Sequence, residues 1–371
     1  MSSASTSAAQ DEQALLDAAR GGDEDAFRRL VEPRRGELQA HCYRMLGSIH
    51  DAEDALQDAM LRAWKGLARL EDHSAMRAWL YRISTNTCLD AIGKRPKRVL
   101  PIDYGPASDP HGGPGEPVVE SVWIEPIADE TLSVEDGYAS PDANFEQREA
   151  VELAFIAALQ HLPANQRAVL ILREVLGFSA KEVAETLDTT VASVNSALQR
   201  ARASLEARTP ERSQQQTLEA IGDDELRAIV DRYVEAWERT DVETVVSMLA
   251  EDATFAMPPA ASWFGPRDQI AEFLKGFAMS GAWRWKGIRV QANGQVAIGF
   301  YAWDDDAQAY LAFALNVLTF RGREIADVTA FINRSIAPEE RESYHRWVDQ
   351  PADAARLEGT FGRFGLPDRI D

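Results

Sequence analysis

Apolar residues recur at helical spacing through most of the first 98 residues. One run keeps to one helix face at intervals of three or four: Ala52, Leu56, Ala59, Ala63 and Leu67. An earlier apolar face, over residues 15–31, is broken at Gly21-Gly22, and another helix is indicated over residues 76–92. The pattern therefore predicts an all-helical block over residues 11–98, preceded by a disordered N-terminus at residues 1–10.

The spacing over residues 161–208 predicts two short helices joined by a turn. Ser179 and Glu182 form a capping-box pair, in which each side chain accepts a hydrogen bond from the other residue's backbone N–H. Thr190 is the expected cap of the second helix, which should bury Val194, Leu198, Ala201 and Leu205. Its outer face is polar: Ser193, Asn195, Ser196, Gln199, Arg200 and Arg202. Such a face is typical of a helix that reads the major groove, and it also occurs on helical hairpins with a solvated side.

The last third of the chain changes from helical to alternating periodicity. Amphipathic helices are indicated over residues 223–239, 242–249 and 265–274, and a strand begins near Ala253 and ends at Pro258-Pro259. Four more strands are predicted at 285–292, 295–303, 308–320 and 324–333. Helices followed by a meander of strands indicate an α+β domain.

Charge divides the chain further. The 371 residues carry a formal net charge of −21, which argues against indiscriminate coating of nucleic acid. Residues 99–145 hold ten acidic residues and no Lys or Arg, and they are rich in Pro and Gly. This composition predicts an extended or disordered connector between two helical units.

Several classes of protein are disfavoured by what the sequence lacks. Cys42 and Cys88 form no Cys-x-x-Cys pair, no histidine cluster has ligand spacing, and neither a metal nor another cofactor is predicted. The polar N-terminus does not resemble a signal peptide, and no apolar run is long enough for a membrane span. We therefore expect a cytoplasmic protein without membrane contact.

A basic run follows the helix predicted over residues 76–92. Residues 77–98 contain six basic side chains and one acid, with Trp79, Tyr81 and Asn86 among them. Basic and aromatic residues together can bind a nucleic-acid strand by phosphate contact and base stacking. The alternative is that the aromatic residues are core and the charges a solvated helix end.

At two places the residues resemble a known family. The stretch Gly47-Ser-Ile-His-Asp51-Ala-Glu-Asp54-Ala-Leu-Gln57-Asp58, then Ala63-Trp64 and Arg77-Ala-Trp79-Leu-Tyr-Arg82-Ile-Ser-Thr-Asn86 with Asp90, resembles the second conserved region of bacterial sigma-70 factors of the extracytoplasmic-function group. The second place, Leu162-Pro163, Gln166-Arg167, Glu182-Val-Ala184 and Ser193-Val194 through Arg200-Ala-Arg202, resembles that group's fourth region. The order of the two regions, with a linker in place of a third, also fits.

The resemblance implies partners and site residues. The partners would be promoter DNA and core RNA polymerase, through the clamp helices of its largest subunit and its flap. The polymerase would contact Asp51, Glu53, Asp54, Gln57 and Asp58. The melted −10 strand would contact Asp72, His73, Ser74, Arg77, Arg82, Asn86, Lys94, Arg95, Lys97 and Arg98. The −35 element would contact Lys181, Thr190, Ser193, Asn195, Ser196, Gln199, Arg200 and Arg202, although the family often has basic residues where Asn195 and Ala197 stand. The acidic linker would thread the polymerase cleft.

The C-terminal third resembles SnoaL-like domains of the nuclear-transport-factor-2-like fold. The resemblance rests on Glu251-Asp-Ala-Thr-Phe255, Met257-Pro-Pro and Trp263-Phe-Gly265, and implies a cone-shaped sheet over helices. Candidate pocket residues are Tyr233, Trp263, Phe277, Trp285 and Phe313, although such aromatic residues are more often simply core. We expect this domain to regulate the sigma regions by intramolecular contact, with a small molecule or the acidic C-terminal tail as a modulator. An isomerase- or cyclase-type activity in this domain is the alternative.

The predicted fold class is thus multidomain, with two all-α sigma domains and an α+β SnoaL-like domain. The predicted order is 1–10 disordered, 11–98 region 2, 99–145 linker, 146–208 region 4 helix-turn-helix, 209–221 linker, 222–335 SnoaL-like domain and 336–371 extension. A conventional repressor using the same helix pair is a further alternative, but it would not need the motifs at 47–98. A sigma factor itself performs no catalysis, because the chemistry belongs to the polymerase.

Overall fold

The computed structural model describes residues 2–70, 73–118, 122–132, 150–334 and 352–371, without the side chains of residues 2–10, Arg69, His73 and Leu132. The chain forms two compact units. The first unit comprises Met1–Lys97 and Glu130–Thr209, and the second comprises Arg98–Asp129 and Pro210–Asp371.

The helices are numbered in chain order. They are α1 Ser2–Arg20, α2 Glu24–Val31, α3 Arg35–Leu46, α4 Ile49–Gly66, α5 Met76–Ile92, α6 Pro101–Tyr104, α7 Leu153–Gln160, α8 Ala164–Leu170, α9 Ala180–Thr186, α10 Val191–Glu206, α11 Gln214–Ile221, α12 Asp223–Glu238, α13 Val242–Ser247, α14 Arg267–Gly276 and α15 Ala354–Thr360. Short 3₁₀ segments cover Glu32–Arg34, Leu67–Arg69, His73–Ala75, Pro110–Gly112, Asp129–Leu132 and Gly362–Phe364, and Ile171–Val175 is a π-helical turn.

Helices α1–α5 and α7–α10 build the first unit, and local capping sets several of their ends. The Asp23 carboxylate accepts a hydrogen bond from the Ala26 N–H at 3.0 Å, and Ser48 Oγ accepts from the Asp51 N–H at 3.1 Å. Each side chain thereby satisfies a backbone donor that the first helical turn leaves without a partner. The core of these helices includes Leu30, Leu56 and Leu80.

The N-terminal prediction was wrong, because α1 begins at Ser2 rather than after residue 10. Three of the residues assigned to a disordered tail are alanines, the residue with the highest helix propensity, and they continue directly into the amphipathic run that starts near Gln13.

Helices α9 and α10 form the predicted pair. Both hydrogen bonds of the Ser179–Glu182 capping box are present, and Thr190 Oγ1 accepts from the Ser193 N–H at 3.1 Å. Val194, Leu198 and Ala201 are buried, as the spacing predicted, whereas Leu205 is only partly buried.

The second unit is an α+β fold around one curved sheet. Its strands are β1 Leu249–Ala256, β2 Trp263–Phe264, β3 Trp285–Ala292, β4 Gln295–Asp304, β5 Ala309–Arg321, β6 Glu324–Ile332 and β7 Arg369–Ile370. The order is β2-β1-β6-β5-β4-β3, with β7 paired to β5. Only the β1–β6 pair of this path is parallel, and all four strands predicted over 285–333 are confirmed within one or two residues.

The segment predicted as an extended or disordered connector differs from that expectation in its described part, residues 99–118 and 122–132. Its residues 99–129 belong to the second unit, where the Val118 N–H donates to the Pro259 carbonyl at 2.9 Å and the Ile127 N–H donates to Asn293 Oδ1 at 3.0 Å. Trp123, Ile124 and Ile127 are buried. A short apolar cluster within a polar segment thus gives enough burial to order it. Residues 133–149 of the predicted connector lie outside the described residues.

The described part of the C-terminal extension, residues 352–371, also packs on the sheet. Phe361 is fully buried, with its ring centroid 5.2 Å from that of Tyr301, and Tyr301 Oη donates to the Pro367 carbonyl at 2.9 Å. The chain end therefore completes the second unit, which makes it a structural element and not a free acidic tail.

Candidate functional site

The acidic side chains predicted to bind polymerase lie along α4, but they differ in exposure. Asp54, Gln57 and Asp58 are exposed, and Glu53 is half-buried, with Gln39 Nε2 donating to its carboxylate at 3.5 Å. Asp51 is buried and forms an ion pair with Arg95, which also lies 3.5 Å from Asp54. The exposed part of the acidic face is therefore formed by Asp54, Gln57 and Asp58.

Among the candidates for the −10 strand on α5, Arg77 has a partner within the first unit. Its Nη2 donates to the Leu176 carbonyl at 3.0 Å, and its guanidinium lies 4.5 Å from the Phe178 ring centroid. Arg82 is exposed and Asn86 half-buried, and neither has a hydrogen-bond partner among the described residues. Ser74 is exposed before α5, whereas Asp72 and the side chain of His73 lie outside the described residues.

The basic run after α5 is divided by the boundary between the units. Lys94, Arg95 and Lys97 are exposed, and Lys97 Nζ lies 2.8 Å from His161 Nδ1. Arg98 is buried, with Nη1 donating to the Trp123 carbonyl at 2.9 Å and lying 3.6 Å from Glu125. Burial lowers the pKa of Arg98, and the nearby Glu125 partly opposes that shift. Arg98 therefore has almost no exposed surface for a strand, contrary to the prediction.

The outer face of α10 has the arrangement that the spacing predicted. Its candidate residues are all exposed: Ser193, Asn195, Ser196, Gln199, Arg200 and Arg202. Thr190 is exposed at the N-terminus of the helix, and Lys181 is exposed on α9, 3.9 Å from Glu185. The Arg202 Nε–H donates to Glu174 at 2.7 Å, and this hydrogen bond raises the pKa of Arg202.

A cavity of about 30 Å³ lies in the second unit, between α12 and the sheet. Of the predicted pocket residues, Phe277, Trp285 and Phe313 line it, but Tyr233 and Trp263 do not. Burial raises the pKa of Tyr233, whose hydroxyl is fully enclosed, and Trp263 Nε1 donates to the Gly105 carbonyl of the linker at 2.8 Å. The lining residues missed from the sequence include Trp237, Trp283, Phe300 and Asn316.

Another set of functional candidates was missed because its members look like ordinary helix residues. Arg44 and Arg167 are buried where α3 meets α7 and α8. Arg44 Nε donates to the Ala150 carbonyl at 3.0 Å, and Arg167 Nη2 donates to the carbonyls of Gln160 and Leu162 at 3.1 and 3.2 Å. Gln160 Nε2 donates back to the Arg44 carbonyl at 3.3 Å. These contacts hold the two helical regions of the first unit together.

Two further searches were confined to the described residues. No group of three His, Cys, Asp or Glu side chains comes together in a way that could hold a metal ion. No described helix has the length and hydrophobicity needed to cross a membrane.

Comparisons with known proteins place each region. The family models "Sigma-70 region 2", "Sigma-70, region 4" and "SnoaL-like domain" match residues 30–98, 146–205 and 230–328. The chain is 40% identical over 316 residues to the ECF RNA polymerase sigma factor SigG of Mycobacterium tuberculosis, covering 84% of this chain and 82% of that protein. It is 30% identical over 185 residues to the ECF RNA polymerase sigma factor SigW of Bacillus subtilis, covering 50% of this chain and 89% of that protein.

Among solved structures, the chain is similar to the extracytoplasmic function sigma factor SigJ of Mycobacterium tuberculosis. The TM-score is 0.53 at 20% identity, and the match covers 89% of this chain and 98% of that one. This likeness extends through both helical regions and the curved sheet, and it confirms the predicted fold class.

Proposed function

Since the chain belongs to the extracytoplasmic-function family of RNA polymerase sigma factors, which direct transcription initiation, we propose that separate faces of its first unit bind polymerase and promoter. Asp54, Gln57 and Asp58, with Glu53 beside them, bind core polymerase. Arg77, Arg82, Asn86 and the exposed basic run after α5 contact the −10 strand. The outer face of α10 reads the −35 element. The observation that carries the proposal is the exposed polar face of α10 above a fully packed core.

Simultaneous contact with both promoter elements requires the first unit to open. The −10 and −35 elements are about 25 base pairs apart, which is roughly 85 Å of duplex. A compact unit of roughly 180 residues has a radius of gyration of about 16 Å and a diameter near 40 Å. The described contacts of Arg44, Gln160, Arg167 and Arg77 therefore belong to a closed state, and these contacts must break before both elements are bound.

The C-terminal domain regulates this opening through the linker. Residues 99–129, which join the two sigma regions, form hydrogen bonds with Pro259, Trp263 and Asn293 of the SnoaL-like domain. A linker held in this way cannot extend freely between the two promoter elements, so its release is the regulated step. Ligand binding in the aromatic cavity is one means of changing the sheet that holds the linker.

Run-off transcription with purified core polymerase tests the function. We expect a promoter-dependent transcript, reduced about three- to tenfold when Asp54 and Asp58 are both changed to Ala, because two charges at the polymerase contact are lost. The matched control is Glu24→Ala with Asp25→Ala, which removes two exposed charges from α2 instead. Tight duplex binding by the isolated chain with no transcript on any promoter would instead favour a repressor.

A further inference from the structure

A row of three residues, spaced four apart, runs along the outer face of α10. Val191 is 43% exposed, and Asn195 and Gln199 follow it as exposed carboxamides. Residues four apart lie on the same face of a helix, so the three side chains form one ridge. Among the described residues, neither carboxamide has a hydrogen-bond partner. The ridge is therefore uncharged and presents one apolar group and two groups that can both donate and accept.

One of the two arginines of α10 is engaged in an ion pair. Arg202 is held by Glu174, to which its Nε–H donates at 2.7 Å. Arg200 is exposed on the neighbouring row, four residues after Ser196, and has no partner among the described residues. Guanine recognition by a guanidinium on the exposed face thus depends on Arg200, while the Val191–Asn195–Gln199 ridge is suited to other bases.

The chemistry of the ridge selects adenine and thymine. A carboxamide matches the major-groove edge of adenine, because its oxygen accepts from the N6 amino group while its N–H donates to N7. An apolar side chain fits against the thymine methyl group. Four helical residues rise about 6 Å, and successive base pairs rise about 3.4 Å, so neighbouring ridge residues reach bases one or two steps apart.

We propose that the Val191–Asn195–Gln199 ridge makes the upstream promoter element of this sigma factor rich in A·T pairs. Asn195 and Gln199 each pair with an adenine, on either strand, one or two base pairs apart. Val191 covers a thymine methyl group next to them. This inference rests on the proposed function and names the DNA sequences that the α10 face selects.

The test uses the full chain bound to core polymerase. Duplexes with a randomised upstream region are bound, recovered and sequenced, for the wild type and for Asn195→Ala and Gln199→Ala. Each variant should lose the preference for adenine at one position and keep it at the other. Replacing that adenine by 7-deazaadenine, which lacks N7, should weaken binding of the wild type about 5- to 100-fold and leave the matching variant unaffected.

Two further changes sharpen the result. Asn195→Arg should exchange the preferred adenine at its position for guanine, because a guanidinium matches O6 and N7 of guanine. Uracil in place of thymine removes only the methyl group, and it should weaken binding by the wild type but not by Val191→Ala. Gln216→Ala removes an exposed carboxamide from α11 and should leave the recovered sequences unchanged.

The outcomes separate this inference from the proposed function. If the wild type and both alanine variants recover the same upstream sequence and all transcribe from it, the base preference is wrong and the sigma function stands. The same conclusion follows if the sequence that the wild type recovers contains no position at which either variant loses a preference for adenine. If the wild-type complex recovers no upstream sequence and makes no promoter-dependent transcript, the proposed function fails, and the base preference fails with it.

Discussion

Arg95 and Asp51 illustrate how pairing changes the meaning of a charged residue. The resemblance to sigma factors assigns Arg95 to the −10 strand and Asp51 to the polymerase, but the folded chain joins them in an ion pair. Arg98 and Arg77 are likewise engaged, by the Trp123 and Leu176 carbonyls. The sequence predicts which side chains carry charge, but it does not predict which of them find partners far away in the chain. On the outside of α10, where few such partners exist, the predicted exposure of the side chains is therefore found in the structure.

His41 is a buried histidine whose neutral form is favoured by the fold. Its Nε2 lies 2.9 Å from Thr85 Oγ1, and Nδ1 has no partner among the described residues. Burial, and then the charge of Arg44, lower the pKa of His41 from 6.5 to about 3. The unfolded chain therefore binds a proton between about pH 6.5 and pH 3 that the folded chain does not bind, so this residue makes the protein less stable as the pH falls through that range.

As the pH falls from 6 to 4, the free energy of unfolding should decrease in the wild type more steeply than in His41→Gln. We expect the two slopes to differ by about 1.4 kcal/mol per pH unit. Urea denaturation at several pH values measures this difference. His111→Gln, at an exposed histidine of the linker, serves as the control and should keep the wild-type slope. Equal slopes for the wild type and His41→Gln would show that burial of His41 does not carry the effect.

At the scale of the element, local signals explain which parts of the fold could be predicted. The Ser179–Glu182 box, the Thr190 cap and the four-three spacing of Val194, Leu198 and Ala201 on α10 lie within one or two helical turns, and the structure confirms them. The strands from β3 to β6 are alternating or continuous apolar runs bounded by turn residues, so their bounds were nearly right. The 99–129 segment has no such period. Its order depends on acceptors at Pro259 and Asn293, more than a hundred residues away, and no local pattern records them.

The turn between α3 and α4 is fitted closely against α7. Gly47 has φ +70°, and a Cβ at this position would lie 3.1 Å from Gln160 Cδ. Gly47→Ala should lower the free energy of unfolding by about 2 kcal/mol or more, since the left-handed backbone costs about 1–2 kcal/mol and the new methyl group also pushes against Gln160. Chemical denaturation of the full chain measures the loss.

Gly177 provides the matched control for this substitution. It has φ +71°, but a Cβ there would meet no atom within 4 Å, so Gly177→Ala should show the backbone cost alone. The extra loss of Gly47→Ala should shrink in a Gln160→Ala background, because the contact that causes it has been removed. A Gly47→Ala loss no larger than that of Gly177→Ala, with or without Gln160, would mean that α7 is not held against the turn.

For the whole molecule, the order of segments along the chain differs from their grouping in space. The first sigma region and the second belong to one unit, while residues 99–129 of the linker belong to the other unit with the C-terminal domain. The chain therefore passes between the units near residues 97, 129 and 209. In the proposed function, a change in the C-terminal domain acts on this segment, which sets the reach between the two promoter-binding regions.

Removing residues 210–371 should leave the linker without its packing partners. The linker has no Lys or Arg for trypsin, but its Ser108–Asp109 and Ala128–Asp129 bonds are cleavage sites for a protease that cuts before aspartate. We expect cleavage at these bonds to be slow in the full chain and at least tenfold faster in the truncated one. The reason is that the hydrogen bonds of the linker backbone with Pro259, Trp263 and Asn293 are lost. Mass spectrometry of the fragments over time measures both rates.

A smaller change separates loss of packing from gross damage. Asn293→Gly removes the acceptor of the Ile127 N–H, and glycine tolerates the φ of +56° at this turn, so cleavage before Asp129 should accelerate while melting of the rest of the second unit shifts little. In run-off transcription, both variants should then differ from the wild type in the same direction, because each frees the linker. Slow cleavage of the truncated chain, or opposite effects of the two variants on transcription, would mean that the C-terminal domain does not act by holding residues 99–129.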